Sequence, residues 1–241
     1  MDSYLLYCVT DLRAVTVAER DPAWSHLGLY QLWYREALLP NQSDAPVAVA
    51  AEGDLGCALG WLGSDPRPQP QDFYDIVSSL LEEAPALPFR FPTLVQGRGP
   101  ESIVLPVRAL LRDHAQTFSA ALEQFRNALE IDLRILDVQE LTPPASGTAY
   151  LEAARDRSRR MLETAAELRS YMQGLFSEWK SRDTREEVRC SALVRRDAIA
   201  AFNERIAGYE NTRSAKVIVS RPWAPTTFMN VPELTFPNEN A

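Results

Sequence analysis

The clearest pattern of apolar and polar residues lies near the C-terminal end of the chain. Apolar and polar side chains alternate from Val188 to Val194, and a period of two predicts a strand with one buried face. A helix is expected next, with Asp197 as its N-cap and Gly208 at its end. The Val/Ile-rich run at 215–220 predicts a second strand. We therefore expect a strand–helix–strand unit at the centre of a C-terminal α+β domain.

Other strands are predicted in the N-terminal half. The compact apolar run from Ser3 to Thr10 predicts a strand in the centre of a sheet. Two shorter runs, at 45–51 and 55–62, are joined by a Gly-containing turn, which predicts a β-hairpin. Alternation at 128–138 predicts a half-exposed strand.

Residues 87–95 read LPFRFPTLV, with prolines on both sides of a Phe-Arg-Phe triplet. Because proline cannot donate to a β-ladder, we expect an edge strand or an extended crossing here. Arg90 is expected on the face opposite Phe89 and Phe91. It would contact either an acidic partner or one of the N-terminal carboxylates, and the sequence favours neither.

Helices are predicted between these strands. One predicted helix begins at Asp21-Pro22 and carries the aromatic residues of 24–34. These residues are expected to pack on the sheet; an exposed aromatic surface that binds other proteins is the alternative. Asp72 starts another. Apolar residues at steps of three and four from 111 to 129 predict one long helix, with Pro106 in its first turn.

A second long stripe runs from 151 to 179 in strict steps of three and four. Ser158 and several alanines weaken it as an obligate coiled-coil seam. We therefore expect a long helix that lies on the C-terminal sheet or pairs with residues 107–126. A partner-binding seam is the alternative. Gly174, off this stripe, is expected to mark a kink.

Length and charge indicate how the chain is divided. Its 241 residues can form two small domains, and a Pro-rich run at 142–147 coincides with a change in charge. Residues 1–150 carry 10 basic and 20 acidic side chains, whereas residues 151–241 carry 15 and 13. The expected organisation is an N-terminal α+β domain at 1–141, a linker at 142–149, a C-terminal α+β domain with the long helix at 150–230, and a flexible tail at 231–241.

Composition excludes several classes of protein. A net charge of −8 argues against nucleic-acid binding, which requires a basic face. No apolar run approaches the roughly 18 residues of a membrane span. The first residues lack a basic n-region, so no signal peptide is expected. Three cysteines lie far apart in apolar runs, which indicates reduced core thiols in a cytoplasmic protein.

Catalytic motifs are absent from the sequence. His26 and His114 are the only histidines, and neither lies at ligand spacing from a carboxylate or cysteine. No Gly-rich phosphate loop, nucleophile elbow or C-x-x-C motif occurs. We therefore expect no catalysis, no cofactor and no metal site. A hydrolase or transferase with a dispersed site is the third hypothesis, after the two given below.

Several short motifs occur in a recognisable order: SYLLYCV, LPFRFPT, LEIDLRI, CSALVRRDAIAAFNERI and SRPWAPTTFM. In this the chain resembles the gas vesicle protein GvpL/GvpF family. Members of that family show a Leu-Pro-x-Arg-Phe-Gly-Thr element, a late Ala-x-Leu-Val-x-Arg and a closing Gly-Pro-Trp-Pro-Pro-Tyr-x-Phe. The chain departs from these motifs at Pro92, Arg221, Ala224 and Thr226.

The resemblance implies two α+β domains, each a small sheet with packed helices, the C-terminal one a modified ferredoxin-like arrangement. It also implies a non-enzymatic accessory role in gas vesicle assembly, with the hydrophobic shell subunit and other accessory proteins as partners, in the cytoplasm and associated with the vesicle. An apolar shell subunit would aggregate unless its strand edges and patches were covered.

The candidate partner-binding residues are Phe89, Arg90, Phe91, Trp223, Pro225 and Phe228. At least half of the aromatic side chains among them are expected to pack the two cores instead. The rival hypothesis is a general protein-interaction scaffold that uses the stripe at 151–179 in another assembly.

Overall fold

The computed structural model describes residues 2–15, 29–31, 47–63, 67–98, 101–137, 146–184, 187–209 and 215–229, of which 29–31 are described by their backbone only. The chain divides into two compact units. Unit 1 comprises Met1–Arg126 with Met229–Ala241, and unit 2 comprises Asn127–Phe228. Each unit contains a sheet with packed helices, so the predicted α+β class is confirmed.

The sheet of unit 1 is antiparallel, with the strand order β2-β3-β4-β1-β5. Its strands are β1 (Asp2–Asp11), β2 (Leu29–Gln31), β3 (Val47–Glu52), β4 (Leu55–Gly63) and β5 (Ala86–Gly97). As predicted, β1 is central, β3 and β4 form a hairpin, and β5 is an edge strand. The hairpin turn contains Gly53 at φ +61°, a conformation that glycine adopts without strain.

Helices cover the sheet of unit 1. They are α1 (Pro70–Glu83), α2 (Glu101–Asp113) and α3 (Ala115–Gln124). Apolar residues of α2 and α3 form one buried cluster with β1, β4 and β5, including Ile103, Leu111 and Phe118. Helix α1 packs on β1 and β5 through Phe73, Ile76, Val77, Leu80 and Leu81. Burial along nearly the whole of β1 explains its unbroken apolar sequence.

Unit 2 has the element order β6 (Ala128–Asp137), α4 (Gly147–Tyr171), β7 (Glu178–Asp183), β8 (Glu187–Arg195), α5 (Ile199–Ala207) and β9 (Ala215–Val219). Its antiparallel strands lie in the order β7-β8-β6-β9. This βαββαβ order is ferredoxin-like, as predicted. The buried cluster of unit 2 lies between the sheet and its helices and includes Ile131, Leu133, Met161, Leu168 and Phe202.

The predicted strand–helix–strand unit is β8, α5 and β9, but its cap differs. A 3₁₀ turn at Arg196–Ala198 precedes α5, and the N-cap is Ala198, without a side-chain bond. The Asp197 carboxylate instead accepts two hydrogen bonds from Arg195, at 3.0 and 2.6 Å. Gly208 is the C-cap, as expected.

The two long helices are shorter than predicted. The stripe from 111 to 129 spans α2, α3 and β6, with a break at His114, and Pro106 lies inside α2 rather than in its first turn. Residues 29–31, assigned to a helix on their aromatic neighbours, form β2. The rest of that predicted helix lies outside the described residues.

Helix α4 ends at Tyr171 with Met172 as its C-cap, so residues 172–179 are not helical. Gly174 has φ +88° and lies in the turn after the helix, not at a kink. Met161, Ala165, Leu168 and Met172 are buried against the sheet. The C-terminal part of the stripe at 151–179 therefore belongs to the core. It cannot serve as the partner-binding surface that the scaffold hypothesis requires.

The division between the units also differs from the expected one. Strand β6, placed in the N-terminal domain by the sequence, pairs with β8 and β9 and belongs to unit 2. Ser146 and Gly147, in the expected linker, are the N-cap and first residue of α4. Residues 138–145 and 230–241 lie outside the described residues.

Candidate partner-binding surfaces

The LPFRFPT element forms a large bulge on the edge strand β5. Along β1, Leu6 pairs with Thr93 and Cys8 pairs with Pro88, so Tyr7 alone lies opposite residues 89–92. The Thr93 hydroxyl donates a hydrogen bond of 2.6 Å to the carbonyl of Arg90, which closes the bulge. A bulge at a sheet edge re-aims side chains and interrupts pairing.

The bulge sends its two phenylalanines to different helices. Phe89 is 3% exposed and belongs to the cluster with α2 and α3. Phe91 is half-buried, and its ring centroid lies 5.3 Å from that of Phe73 on α1. The prediction that both lie on one face, opposite Arg90, is therefore wrong. Arg90 itself is exposed.

Phe91 lies at the rim of an aromatic cluster. Tyr7 stacks on Phe73 at 5.8 Å, and Tyr74 meets Phe73 edge-on at the same distance. Burial, followed by the charge of Asp72, raises the pKa of Tyr7 to about 12. The cluster is thus uncharged and apolar at its base, while Tyr74 is exposed at its outer side.

The closing PWAPTTF motif, residues 222–228, crosses the open face of the sheet of unit 2; we call it the strap. At its start, Trp223 and Glu130 of β6 exchange backbone hydrogen bonds of 2.8 Å in both directions. At its end, Lys180 of β7 donates 2.8 Å to the carbonyl of Thr227 and lies 5.0 Å from the ring centroid of Phe228. The strap therefore spans the sheet from β6 to β7.

The strap buries most of its candidate residues. Phe228 is 8% exposed and Pro225 is buried, whereas Trp223 is half-buried. Phe228 thus anchors the strap, and Trp223 is the accessible aromatic side chain of the motif.

A buried carboxyl group lies under the strap. The backbone N–H of Thr227 donates a 2.8 Å hydrogen bond to Glu130 Oε2. Burial raises the pKa of Glu130, and the nearby Asp132 adds to this, whereas the hydrogen bonds from Thr227 oppose it. The Ser191 hydroxyl donates 2.6 Å to Asp132, so β8 joins the same polar network.

The residues with possible catalytic chemistry are dispersed or buried. Among the described residues there is no cluster of three or more His, Cys, Asp or Glu able to hold a metal ion. All three cysteines are buried, and burial raises the pKa of Cys8 to about 12. His114 precedes α3, against the ring of Phe118, and His26 lies outside the described residues. In the part of the chain that is described, no helix is long and apolar enough to cross a membrane.

The six candidate residues thus fall into two groups in different units. Phe89, Arg90 and Phe91 belong to unit 1, and Trp223, Pro225 and Phe228 belong to unit 2. The sequence did not indicate the aromatic cluster of Tyr7 and Phe73 or the polar network under the strap. Both depend on strand register. In the sequence, the only indications of these two features are a tyrosine within an apolar run, Tyr7, and a glutamate at the start of β6, Glu130.

Comparison with known proteins bears on both the fold and the family. A sequence model of the family described as gas vesicle synthesis protein GvpL/GvpF matches residues 3–230. No curated protein matches the chain. The fold is similar to the crystal structure of the gas vesicle protein GvpF from Anabaena sp. PCC7120, with a TM-score of 0.65 and 12% identity, over 96% of this chain and 98% of that one.

The crystal structure of GvpF from Microcystis aeruginosa is similar too, with a TM-score of 0.60 and 12% identity, over 94% of this chain and 98% of that one. At these identities the structures support the fold, and the sequence match covers almost the whole chain. The chain belongs to the gas vesicle synthesis protein GvpL/GvpF family.

Proposed function

We propose that this chain is an accessory protein of gas vesicle assembly that binds the hydrophobic shell subunit and other accessory proteins without catalysis. We place it in the cytoplasm, associated with the forming vesicle. The observation that carries this proposal is the family match over residues 3–230, combined with a family motif that forms a bulge on an exposed sheet edge.

Such a protein must cover the apolar surface of the shell subunit and later release the subunit for assembly. A shell subunit with exposed strand edges and apolar patches would otherwise aggregate. Strand β5 offers the complementary features, since it is an edge strand of its sheet and carries half-buried Phe91 beside exposed Arg90. In this proposal Phe91 contacts the apolar surface and Arg90 selects an acidic neighbour.

The strap offers a second contact surface. Trp223 is half-buried and lies on the open face of the second sheet, where Lys180 and Phe228 fix the far end of the motif. In this proposal the exposed part of Trp223 binds a partner, while Pro225 and Phe228 hold the strap in place.

Co-purification of the chain with the gas vesicle shell subunit from the same genome tests the proposal. We expect the wild-type chain to retain the subunit and Arg90→Glu or Phe91→Ala to retain at least several-fold less. Arg169→Glu is the charge-matched control, because Arg169 is exposed on α4, and it should bind normally. Failure of the wild type to retain the subunit would refute the proposal.

The strap is tested separately. The double variant Trp223→Ala, Phe228→Ala loses both aromatic rings of the motif, so circular dichroism must first show that unit 2 is folded. A folded double variant that retains the shell subunit as well as the wild type would remove the strap from the binding surface and leave β5 as the remaining candidate.

A further inference from the structure

An open groove runs along the outer edge of the second sheet, between α5 and β9. Its volume is about 520 Å³. Its lining combines the apolar residues Ile206, Ala207, Val217 and Val219 with the polar residues Asn203, Tyr209, Ser220 and Arg221. Nothing in the predicted or proposed function uses this groove.

Strand β9 presents a backbone edge to this groove. In the described sheet β9 pairs with β6 on one side only. Val219 lies opposite Leu133 and Val217 opposite Ile135, so both valines point to the helix-covered face, yet each is only half-buried. An exposed edge with β-branched residues is a template for another strand.

The other edge of the same sheet shows the usual protection against such pairing. Strand β7 reads EWKSRD, and nearly all of its side chains are exposed. Charged side chains on an edge strand oppose pairing with another chain. Strand β9 reads AKVIV and has one charge, Lys216. The two edges therefore differ in their suitability for strand addition.

The described lining of the groove carries a positive charge. Among the described residues, Arg221 is the one charged residue in its lining. Within the described part of the chain, no ion pair involves Arg221. An occupant with apolar side chains and a carboxylate would match Ile206, the two valines and Arg221 of this lining.

We propose that the groove receives an extended apolar segment of another protein, which adds to β9 as a fifth strand and places a carboxylate at Arg221. Alternate side chains of the segment enter the groove beside Val217 and Val219, because side chains of a strand repeat every second residue. The segment gains backbone hydrogen bonds from β9 and apolar contact from Ile206. This site uses neither the β5 bulge nor the strap. A test of the groove is therefore independent of the tests of the proposed function.

A synthetic probe tests the inference with the full chain. The probe is a fluorescein-labelled, C-terminally amidated hexapeptide, Val-Thr-Val-Thr-Val-Glu, and its binding is measured by fluorescence anisotropy. We expect saturable binding below about 1 mM. The same peptide N-methylated at alternate residues cannot donate its backbone hydrogen bonds, and it should bind at least tenfold more weakly.

Variants of the chain locate the site. Arg221→Glu should weaken binding of the Glu-terminated peptide roughly fivefold and strengthen that of a Lys-terminated peptide, since an exposed ion pair is replaced by repulsion. Arg182→Glu, the same change on exposed β7, should alter neither. Four results would overturn the inference: no saturable binding, equal binding of the N-methylated peptide, no effect of Arg221→Glu, or a dimer of the chain that Arg221→Glu dissociates, which would make a second copy the occupant.

Discussion

Asp11 holds the end of β1 through a network of charged hydrogen bonds, and its removal gives a quantitative test of unit 1. Its side chain is 3% exposed and accepts hydrogen bonds of 2.9 Å from both Arg13 and Arg126. These bonds, chiefly those from Arg13, lower the pKa of Asp11 from 3.8 to about 2. The change Asp11→Asn removes the charge and keeps the shape of the side chain.

The magnitude follows from the pKa. A carboxyl held at about 2 rather than 3.8 corresponds to roughly 2.4 kcal/mol of stabilisation. Arg13 is 61% exposed, so solvent screens part of this interaction. We therefore expect Asp11→Asn to cost about 1–2 kcal/mol of the free energy of unfolding of unit 1 at pH 7.

The pH dependence distinguishes charge from packing. Because the pKa is lower in the folded state, the stabilisation is complete above the ordinary value of 3.8 and is lost as the pH falls towards 2. The difference between wild type and Asp11→Asn should therefore be largest at neutral pH and should shrink below pH 4.

Hydrogen exchange of the β1 and β4 amides, followed by mass spectrometry, measures this in unit 1 alone. Asp11→Asn should speed exchange about 5- to 30-fold at pH 7. The matched control is Asp54→Asn, since that side chain is 69% exposed and lies 3.7 Å from Arg13; it should change little. An equal loss at pH 7 and pH 3, or an effect as large for Asp54→Asn, would refute the electrostatic explanation.

Two further changes test packing and the strap. A Cβ at Gly60 would lie 2.7 Å from the Tyr7 hydroxyl, so Gly60→Ala should lower the free energy of unfolding, measured by thermal denaturation, by about 1–3 kcal/mol. Adding Tyr7→Phe should recover part of this loss. No recovery would contradict this contact as the cause. The raised pKa of Glu130 means that its contribution is favourable at low pH and is lost as the pH rises through the folded-state pKa. The advantage of Glu130→Gln in urea unfolding should thus grow from pH 4 to pH 8, and a pH-independent difference would exclude ionisation of Glu130 as the cause.

The sequence predicted most strands because their pattern is local. It missed β2 and β7, which lie wholly or partly in stretches assigned to helices. Alternation identified β6 and β8, and turn chemistry identified the β3–β4 hairpin. Helix ends were less predictable, since apolar spacing continued through His114 and past Tyr171 although the helical conformation is interrupted at both places. Met172 remains in the core after α4 has ended, so the stripe could not show where the helix stopped.

Features that depend on pairing between distant strands could not be predicted. The bulge at 89–92 arises from the register of β5 against β1. The polar network under the strap requires Thr227 and Glu130 to meet across 97 positions of sequence. The expected domain boundary failed for a similar reason, because a Pro-rich, charge-changing stretch follows β6, and only strand pairing assigns β6 to unit 2.

The paired backbone bonds of Glu130 and Trp223 have a consequence for the folding of unit 2. They bring together the beginning and the end of a stretch that is continuous in sequence, from Asn127 to Phe228. In the order of the sequence, this stretch separates the two parts of unit 1. Such a stretch contains the partners of all four described strands of its sheet, so we expect it to fold without the strands of unit 1. Produced alone as residues 127–228, it should form a self-sufficient domain that can be inserted into other proteins.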